Sequence, residues 1–285
     1  MPALRHRAAH FLLKKAGMFH RSYREEAYGR SFVVPIINGR KTYVSEPWIA
    51  EALRRVLPLK PGAFIDVGVN LGQTMLKLAA IDPARAYLGF EPNPACADYA
   101  FALIRANALP YTVIPAGLGV RTDIVMLQSI REEDTDPSAS IVDGFRDNPV
   151  LARRPVMIVG WDDLPEAVVP GRIAVVKIDV EGGETEVVEG IEGMLASHRP
   201  FVFIEILPPY TADNRFRLDR QGRVEQVLER LDYAIFRLLR ARDGGLAGLE
   251  RLGSFGLHGD LALCDYLLAP REDSDRVTAL FAPAN

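Results

Sequence analysis

The stretch Phe64-Ile-Asp-Val-Gly-Val-Asn-Leu-Gly-Gln-Thr74 decides the fold. Phe64, Ile65 and Val67 make a short apolar run suited to a buried strand. Gly68 and Gly72 follow, where the backbone must bend sharply. Leu71, Met75, Leu78 and Ala79 then recur at three- and four-residue steps, which predicts a helix. A helix that opens at such a turn presents unpaired N–H groups and the positive end of its dipole, a seat for a carboxylate or phosphate. Alone, the pattern is an ordinary strand–turn–helix. The next apolar run, Ala86-Tyr-Leu-Gly-Phe90, ends in Glu91. An acid at that place, about 20 residues past the glycines, is the usual partner of ribose hydroxyls. A nucleoside-containing ligand is therefore expected.

Downstream, strands and helices alternate. Asn93-Pro94 reads as a helix start, with Asn as cap and Pro at the first position. Tyr111-Thr-Val-Ile-Pro115 and Ile124-Val-Met-Leu127 read as strands. Residues 129–155 are polar and without period, and are either a substrate loop or a solvated excursion. Ile173-Ala-Val-Val-Lys-Ile178 is apolar on both faces, the mark of a central parallel strand. It runs into Asp179-Val-Glu-Gly-Gly-Glu184. Phe201-Val-Phe-Ile-Glu-Ile206 is the next central strand and carries Glu205 inside it. Ala234–Leu239 and Leu261–Leu268 close the chain as two strands, with antiparallel pairing expected.

Upstream, Phe32–Ile37 and Thr42–Val44 flank Asn38-Gly39, the strongest short hairpin signal. Ser45 then reads as the cap of a helix with Pro47 in its first turn. Residues 1–60 are expected to form a helical and hairpin cover, and residues 61–285 a catalytic domain. The first 24 residues carry six Lys/Arg and no acid. They read either as a helix docked on its own domain, the favoured reading, or as a peripheral contact with an anionic membrane surface.

The turn Gly68-Val-Asn-Leu-Gly72 departs from the G-x-G-x-x-G dinucleotide pattern. Together with Glu91-Pro-Asn-Pro94, Lys177-Ile-Asp-Val-Glu-Gly-Gly-Glu184 and Arg199-Pro-Phe-Val-Phe-Ile-Glu-Ile206, in this order, it resembles the FkbM family of S-adenosylmethionine-dependent methyltransferases. The resemblance covers roughly residues 60–206. Val69 stands where that family usually has Ala, and Gly183 where it usually has a side chain. The resemblance implies an α/β, Rossmann-like class I methyltransferase fold: a mostly parallel seven-stranded sheet with an antiparallel last strand and helices on both faces. It also implies S-adenosylmethionine as cofactor and a sugar, glycolipid or natural-product hydroxyl as acceptor.

On that reading Gly68 and Gly72 shape the turn. Asp66 accepts from the donor's ammonium, directly or through water. Asn70 and Thr74 bond its amino-acid part, Glu91 takes the ribose with Asn93 assisting, and Ala116 and Gly117 border the adenine. The catalytic candidates are Asp179, Glu181 and Glu205. If the strand stays extended, Asp179 and Glu181 share one side. For Asp179, helix capping competes with catalysis; Glu205 either lines the acceptor pocket or pairs with an Arg. His258 and Asp260 are weaker candidates, reaching in from a loop. Carboxylates suit hard cations, but nothing in the spacing forces a metal.

Composition narrows the remaining classes. Of 285 residues, 48% are hydrophobic and 25% charged, which suits a globular chain with a full core. A net charge of −3 implies no nucleic-acid partner. Two cysteines without metal spacing read as free thiols, consistent with a cytoplasmic location. The rivals are a methyltransferase-like binding module without turnover and an NAD-dependent oxidoreductase.

Overall fold

A computed structural model describes residues 20–282. Of the basic stretch of 24 residues where an N-terminal helix was expected, residues 1–19 lie outside the described residues, and the remainder is strand rather than helix. The hairpin forms one strand earlier than the sequence suggests. Strand β1 (His20–Ala27) pairs antiparallel with β2 (Arg30–Ile37) around Tyr28-Gly29. Asn38-Gly39 does make a tight turn, closed by bonds between Ile37 and Arg40, but no strand returns from it. Thr42 is instead drawn inward, its N–H donating to the Tyr99 hydroxyl at 2.7 Å. Helix α1 (Pro47–Val56) begins with Pro47 as expected, yet Ser45 does not cap it. Glu46 holds the cap position with a left-handed φ of 50° and no capping bond from its side chain.

The central sheet then forms in the expected alternation. Strand β3 (Ala63–Val67) leads into α2 (Gln73–Ile81), β4 (Tyr87–Phe90) into α3 (Pro94–Asn107), and β5 (Thr112–Ile114) follows. Asn93 caps α3, its side-chain oxygen accepting from the Ala95 N–H. A small satellite sheet comes next. Its strands are β6 (Gly117–Gly119), β7 (Asp123–Ser129) and β8 (Ala152–Gly160), with the polar loop between β7 and β8. The chain returns to the main sheet with β9 (Ile173–Ile178), α4 (Glu184–Gly190), α5 (Glu192–His198) and β10 (Phe201–Glu205). It ends with α6 (Arg215–Arg230), β11 (Tyr233–Arg240), β12 (Leu246–Leu252), β13 (Asp265–Pro270) and α7 (Ser274–Leu280).

The order across the main sheet is β12-β11-β13-β10-β9-β3-β4-β5. Strands β10, β9, β3, β4 and β5 run parallel, and β13 enters antiparallel between β10 and β11. This is the expected Rossmann-like class I topology with one change: the sheet has eight strands. The Gly-rich span between the last two expected strands folds back as β12 and pairs along the edge of β11. The last strand also starts later than expected, because Leu261–Leu263 coil into a short 3-10 turn.

Alternation along each buried strand divides the core in two. Phe64, Val175, Phe203 and Leu267 face α1, α2, α3 and α7; Ile65, Val176, Ile204 and Leu268 face α4, α5 and α6. By the same parity Asp66, Lys177 and Glu205 lie on the first of these faces. Asp66 is in register with Lys177, and Glu205 with Asp265. A row of charges thus crosses an otherwise apolar face at the carboxyl ends of the strands.

Candidate active site

Where β3, β4, β9 and β10 end, a cavity of about 300 Å³ opens. Its position is the ligand crevice of open α/β sheets, and its volume lies at the lower end for small-molecule sites. Of the residues singled out from the sequence, Gly68, Asn70, Thr74, Glu91, Asn93, Gly117, Asp179, Glu181 and Glu205 line it.

Glu91 is buried on one wall, its carboxylate fixed by two backbone donors. Oε2 accepts from the Asn70 N–H at 2.7 Å, and Oε1 from the Asn93 N–H at 2.8 Å. Each oxygen keeps a further lone pair for a ligand hydroxyl. Burial raises the Glu91 carboxyl to about 7, and the two N–H bonds pull against that rise.

Gly68 carries a positive φ of 88°, and a Cβ there would run into the Asp179 carbonyl. The close approach is what lets the β3 turn lie against the β9 turn: the Asp179 N–H donates to the Val67 carbonyl at 3.0 Å. Gly72 takes the cap position just before α2, with a left-handed φ of 80°, but faces Leu103 rather than the cavity. Ala116 is buried behind the wall that Gly117 forms.

Asp66 departs from its expected place. It is fully buried beneath the cavity, where Oδ2 accepts from the Tyr87 hydroxyl at 2.7 Å and Oδ1 faces Lys177 Nζ at 3.5 Å. Its side chain forms no part of the cavity wall, because strand parity turns it under the sheet face toward Lys177. Burial raises the Asp66 carboxyl, with Lys177 opposing. Lys177, unassigned in the sequence reading, is the hub. It donates to the Gly68 carbonyl at 2.8 Å and lies 3.2 Å from Asp179. Burial would lower its pKa, but Asp179, Asp66 and Glu46 together lift it above the ordinary lysine value. The signal was present: a lone cation in an apolar strand, on the same face as Asp66.

Asp179, Glu181 and Glu205 converge, with one carboxylate oxygen of each within 4.8 Å of the others. The convergence does not come from an extended strand. β9 ends at Ile178, and Glu181 sits in a left-handed turn at φ 55° as the chain leaves for α4. Such a conformation costs a non-glycine residue about 1–2 kcal/mol. Arg146 forms an ion pair with Glu181. Burial and the neighbouring Asp179 push Glu181 up to about 7, with Arg146 opposing. Glu205, which pairs with no cation among the described residues, is pushed up to about 10 by burial, then by Asp179 and Glu181. A hard cation takes such oxygens, but here Lys177 and Arg146 already meet two of the three charges.

The loop between β7 and β8 forms the outer wall through Asp136, Pro137, Ala139 and Ile141. It is tied to both ends of the cavity. Asn93 Nδ2 donates to the Asp134 carbonyl at 2.7 Å at the glutamate-91 end. At the other end the Arg217 guanidinium stacks 4.5 Å from the Phe145 ring and donates to its carbonyl at 3.0 Å. The N-terminal segment adds Tyr43, Ser45 and Glu46. Glu184 accepts from the Gly182 N–H at 2.9 Å, a role at its own helix start. His258 lies outside the cavity wall, its Nε2 3.1 Å from the Tyr266 hydroxyl. Asp260 caps the 3-10 turn before β13.

With this geometry in place, a family profile described as the methyltransferase FkbM domain matches residues 66–235, more than half of the chain. The chain belongs to the FkbM methyltransferase family. A curated member-like relative, the hexuronic acid methyltransferase AglP of Haloferax volcanii, is 31% identical over 142 residues. That match covers 50% of this chain and 54% of the relative, so the chain spans about half the length of the curated relative it matches. Among solved structures, an FkbM methyltransferase from Methylobacillus flagellatus aligns with 16% identity and a TM-score of 0.45. That alignment covers 73% of this chain and 43% of the other. The O-methyltransferase TomG from Streptomyces achromogenes aligns with 15% identity and a TM-score of 0.44, covering 80% and 81%.

Membership of a methyltransferase family implies S-adenosylmethionine as the donor, and the cavity suits it. Glu91 offers two preset acceptors for vicinal ribose hydroxyls. A Cβ at Gly117 would lie 2.5 Å from Ile158 Cδ1, so glycine is what lets this part of the wall pack closely. Among the described residues no helix is long and apolar enough to cross a membrane.

Proposed function

We propose that this FkbM protein transfers a methyl group from S-adenosylmethionine to a hydroxyl oxygen of a small-molecule or glycan acceptor. The observation that carries the reading is a single cavity with a preset carboxylate, Glu91, at one end and three converging carboxylates at the other. The hexuronic acid named for the Haloferax relative supports a carbohydrate acceptor.

Bound S-adenosylmethionine supplies a methyl group already activated on a sulfonium. The chain's work is to hold, orient and exclude water. Glu91 takes the ribose hydroxyls, and Asn70 and Thr74 face the amino-acid end. Glu181 receives the acceptor's hydroxyl proton as the oxygen takes the methyl. Glu205 keeps its own proton at neutral pH and donates a hydrogen bond to orient the acceptor. Asp179 and Arg146 set the charge around Glu181.

Calorimetric titration with S-adenosylmethionine, S-adenosylhomocysteine and NAD tests the donor. Binding of both adenosyl ligands without NAD is expected; NAD alone would reverse the reading. Donor binding with no turnover on any hydroxyl acceptor would favour a binding module. Glu91→Ala is expected to weaken S-adenosylhomocysteine binding by about 1–3 kcal/mol, the worth of a hydrogen bond to a charged group. Unchanged affinity in the folded variant removes the ribose assignment.

A further inference from the structure

The donor carries a zwitterionic amino-acid end, so its ammonium needs an anion. The expected anion, Asp66, lies under the cavity and is committed to Tyr87 and Lys177. We infer that Glu46, from the N-terminal segment, accepts the donor's ammonium. This rests on the donor reading above and adds to it a residue outside the span that the family profile matches.

Four observations place Glu46 in that role. It lines the cavity beside Gly68, Gln73, Thr74 and Lys177, at the end where α2 begins. Its side chain is turned away from the ordinary task of its position. At the head of α1, with a left-handed backbone, it makes no capping bond and reaches instead to Lys77 Nζ at 2.8 Å. Lys77 is fully buried on α2, one turn past Gln73 and Thr74, so the ion pair fixes Glu46 beside the first turn of that helix. A buried cation demands an anion, which holds the Glu46 side chain in place.

The fourth observation is the unused oxygen. Lys77 and the Ser45 hydroxyl both engage Oε2. Oε1 accepts from no protein donor among the described residues, while the side chain stays 37% exposed. Of the other acids of the wall, Glu91 is held by two N–H groups, Asp179 by Lys177, Glu181 by Arg146, and Asp136 by the N–H groups of Ile130, Arg131 and Ser138, while Glu205, pushed up to about 10, offers no charge to an ammonium. The segment itself is anchored. The Tyr28 hydroxyl donates to the Ser45 carbonyl and accepts from the Ser45 N–H. Tyr28 sits in the β1–β2 turn, so the hairpin's purpose at this site is to hold Glu46 over the amino-acid end of the donor.

Two ligands separate this role from a general one. S-adenosylhomocysteine carries the ammonium; 5′-methylthioadenosine has the same adenine, ribose and sulfur without the amino-acid end. Calorimetry on the full chain should show Glu46→Gln weakening S-adenosylhomocysteine about tenfold or more, with 5′-methylthioadenosine unchanged. Unchanged binding of the second ligand also shows that the variant is folded. Glu46→Asp, which keeps the charge but shortens the reach, should fall between wild type and Glu46→Gln for the first ligand alone. Equal loss of both ligands, or no loss of either, overturns the inference while leaving the donor reading intact. Wild-type protein that binds neither ligand overturns the donor reading, and this inference with it.

Discussion

Replacing Lys177 with methionine should lower the stability of the fold by about 3–5 kcal/mol, the usual result of removing one partner from a buried ion pair. The reason is Asp66. Its carboxylate is fully buried, and Lys177 is the only cation facing it among the described residues, at 3.5 Å. The Tyr87 hydroxyl satisfies one oxygen but no charge. Without Lys177 the carboxylate must either stay charged in an apolar interior or take up a proton. Asp179 also loses its partner, but it reaches the open cavity, where water screens it. The double variant Lys177→Met with Asp66→Asn should therefore recover most of the loss in urea denaturation. No recovery would show that the cost arises elsewhere.

The pH dependence of the single variant follows from the same group. Burial already raises the Asp66 carboxyl in the intact protein, and Lys177 restrains that rise. With Lys177 gone the folded state holds its proton more tightly than the unfolded state. A folded pKa above the unfolded one means that stability falls as pH rises between the two. The deficit should thus be smaller near the unfolded carboxylate range and larger at neutral pH. A deficit that does not change with pH would exclude Asp66 as its source.

The sequence carried the elements that depend on local chemistry. The β3 turn, Glu91 at the end of β4 and the Asn93 cap are each set by one strand and the residues beside it, so their signals survive without knowledge of the fold. What was not legible depends on pairing at a distance. The apolar run Phe32–Ile37 looks like the first strand of a hairpin because Asn38-Gly39 follows it. Its actual partner, His20–Ala27, is polar and offers almost no periodic signal. The edge strand β12 is half exposed and similarly faint. Asp66 looks available when β3 is read alone. Only the register with β9 shows that Lys177 stands beside it. Glu46 was invisible for a related reason: its partner Lys77 lies on another helix, inside a pattern that reads simply as an apolar face.

The acceptor end yields the second large effect. Glu181→Gln should lower turnover by about 10²- to 10⁴-fold, the range for removing a general base, while S-adenosylhomocysteine binding stays near wild type. Of the three acids, Glu181 is the one suited to proton transfer at neutral pH. Glu205 is pushed to about 10 and remains protonated, a donor rather than a base. Asp179 is engaged by Lys177 at 3.2 Å, so its carboxylate is directed to that ammonium rather than to the acceptor. Glu181, raised to about 7 and opposed by Arg146, is left as the base. A base must be deprotonated to act, so turnover should climb as pH passes through about 7 and level off above it. Glu181→Gln should flatten that climb. Removing Arg146 lets the Glu181 carboxyl rise further, so Arg146→Met should shift the climb to higher pH without abolishing turnover. If Glu181→Gln keeps the wild-type pH profile, the proton leaves by another route, and the left-handed turn that brings Glu181 to Asp179 and Glu205 serves the architecture of the cavity alone.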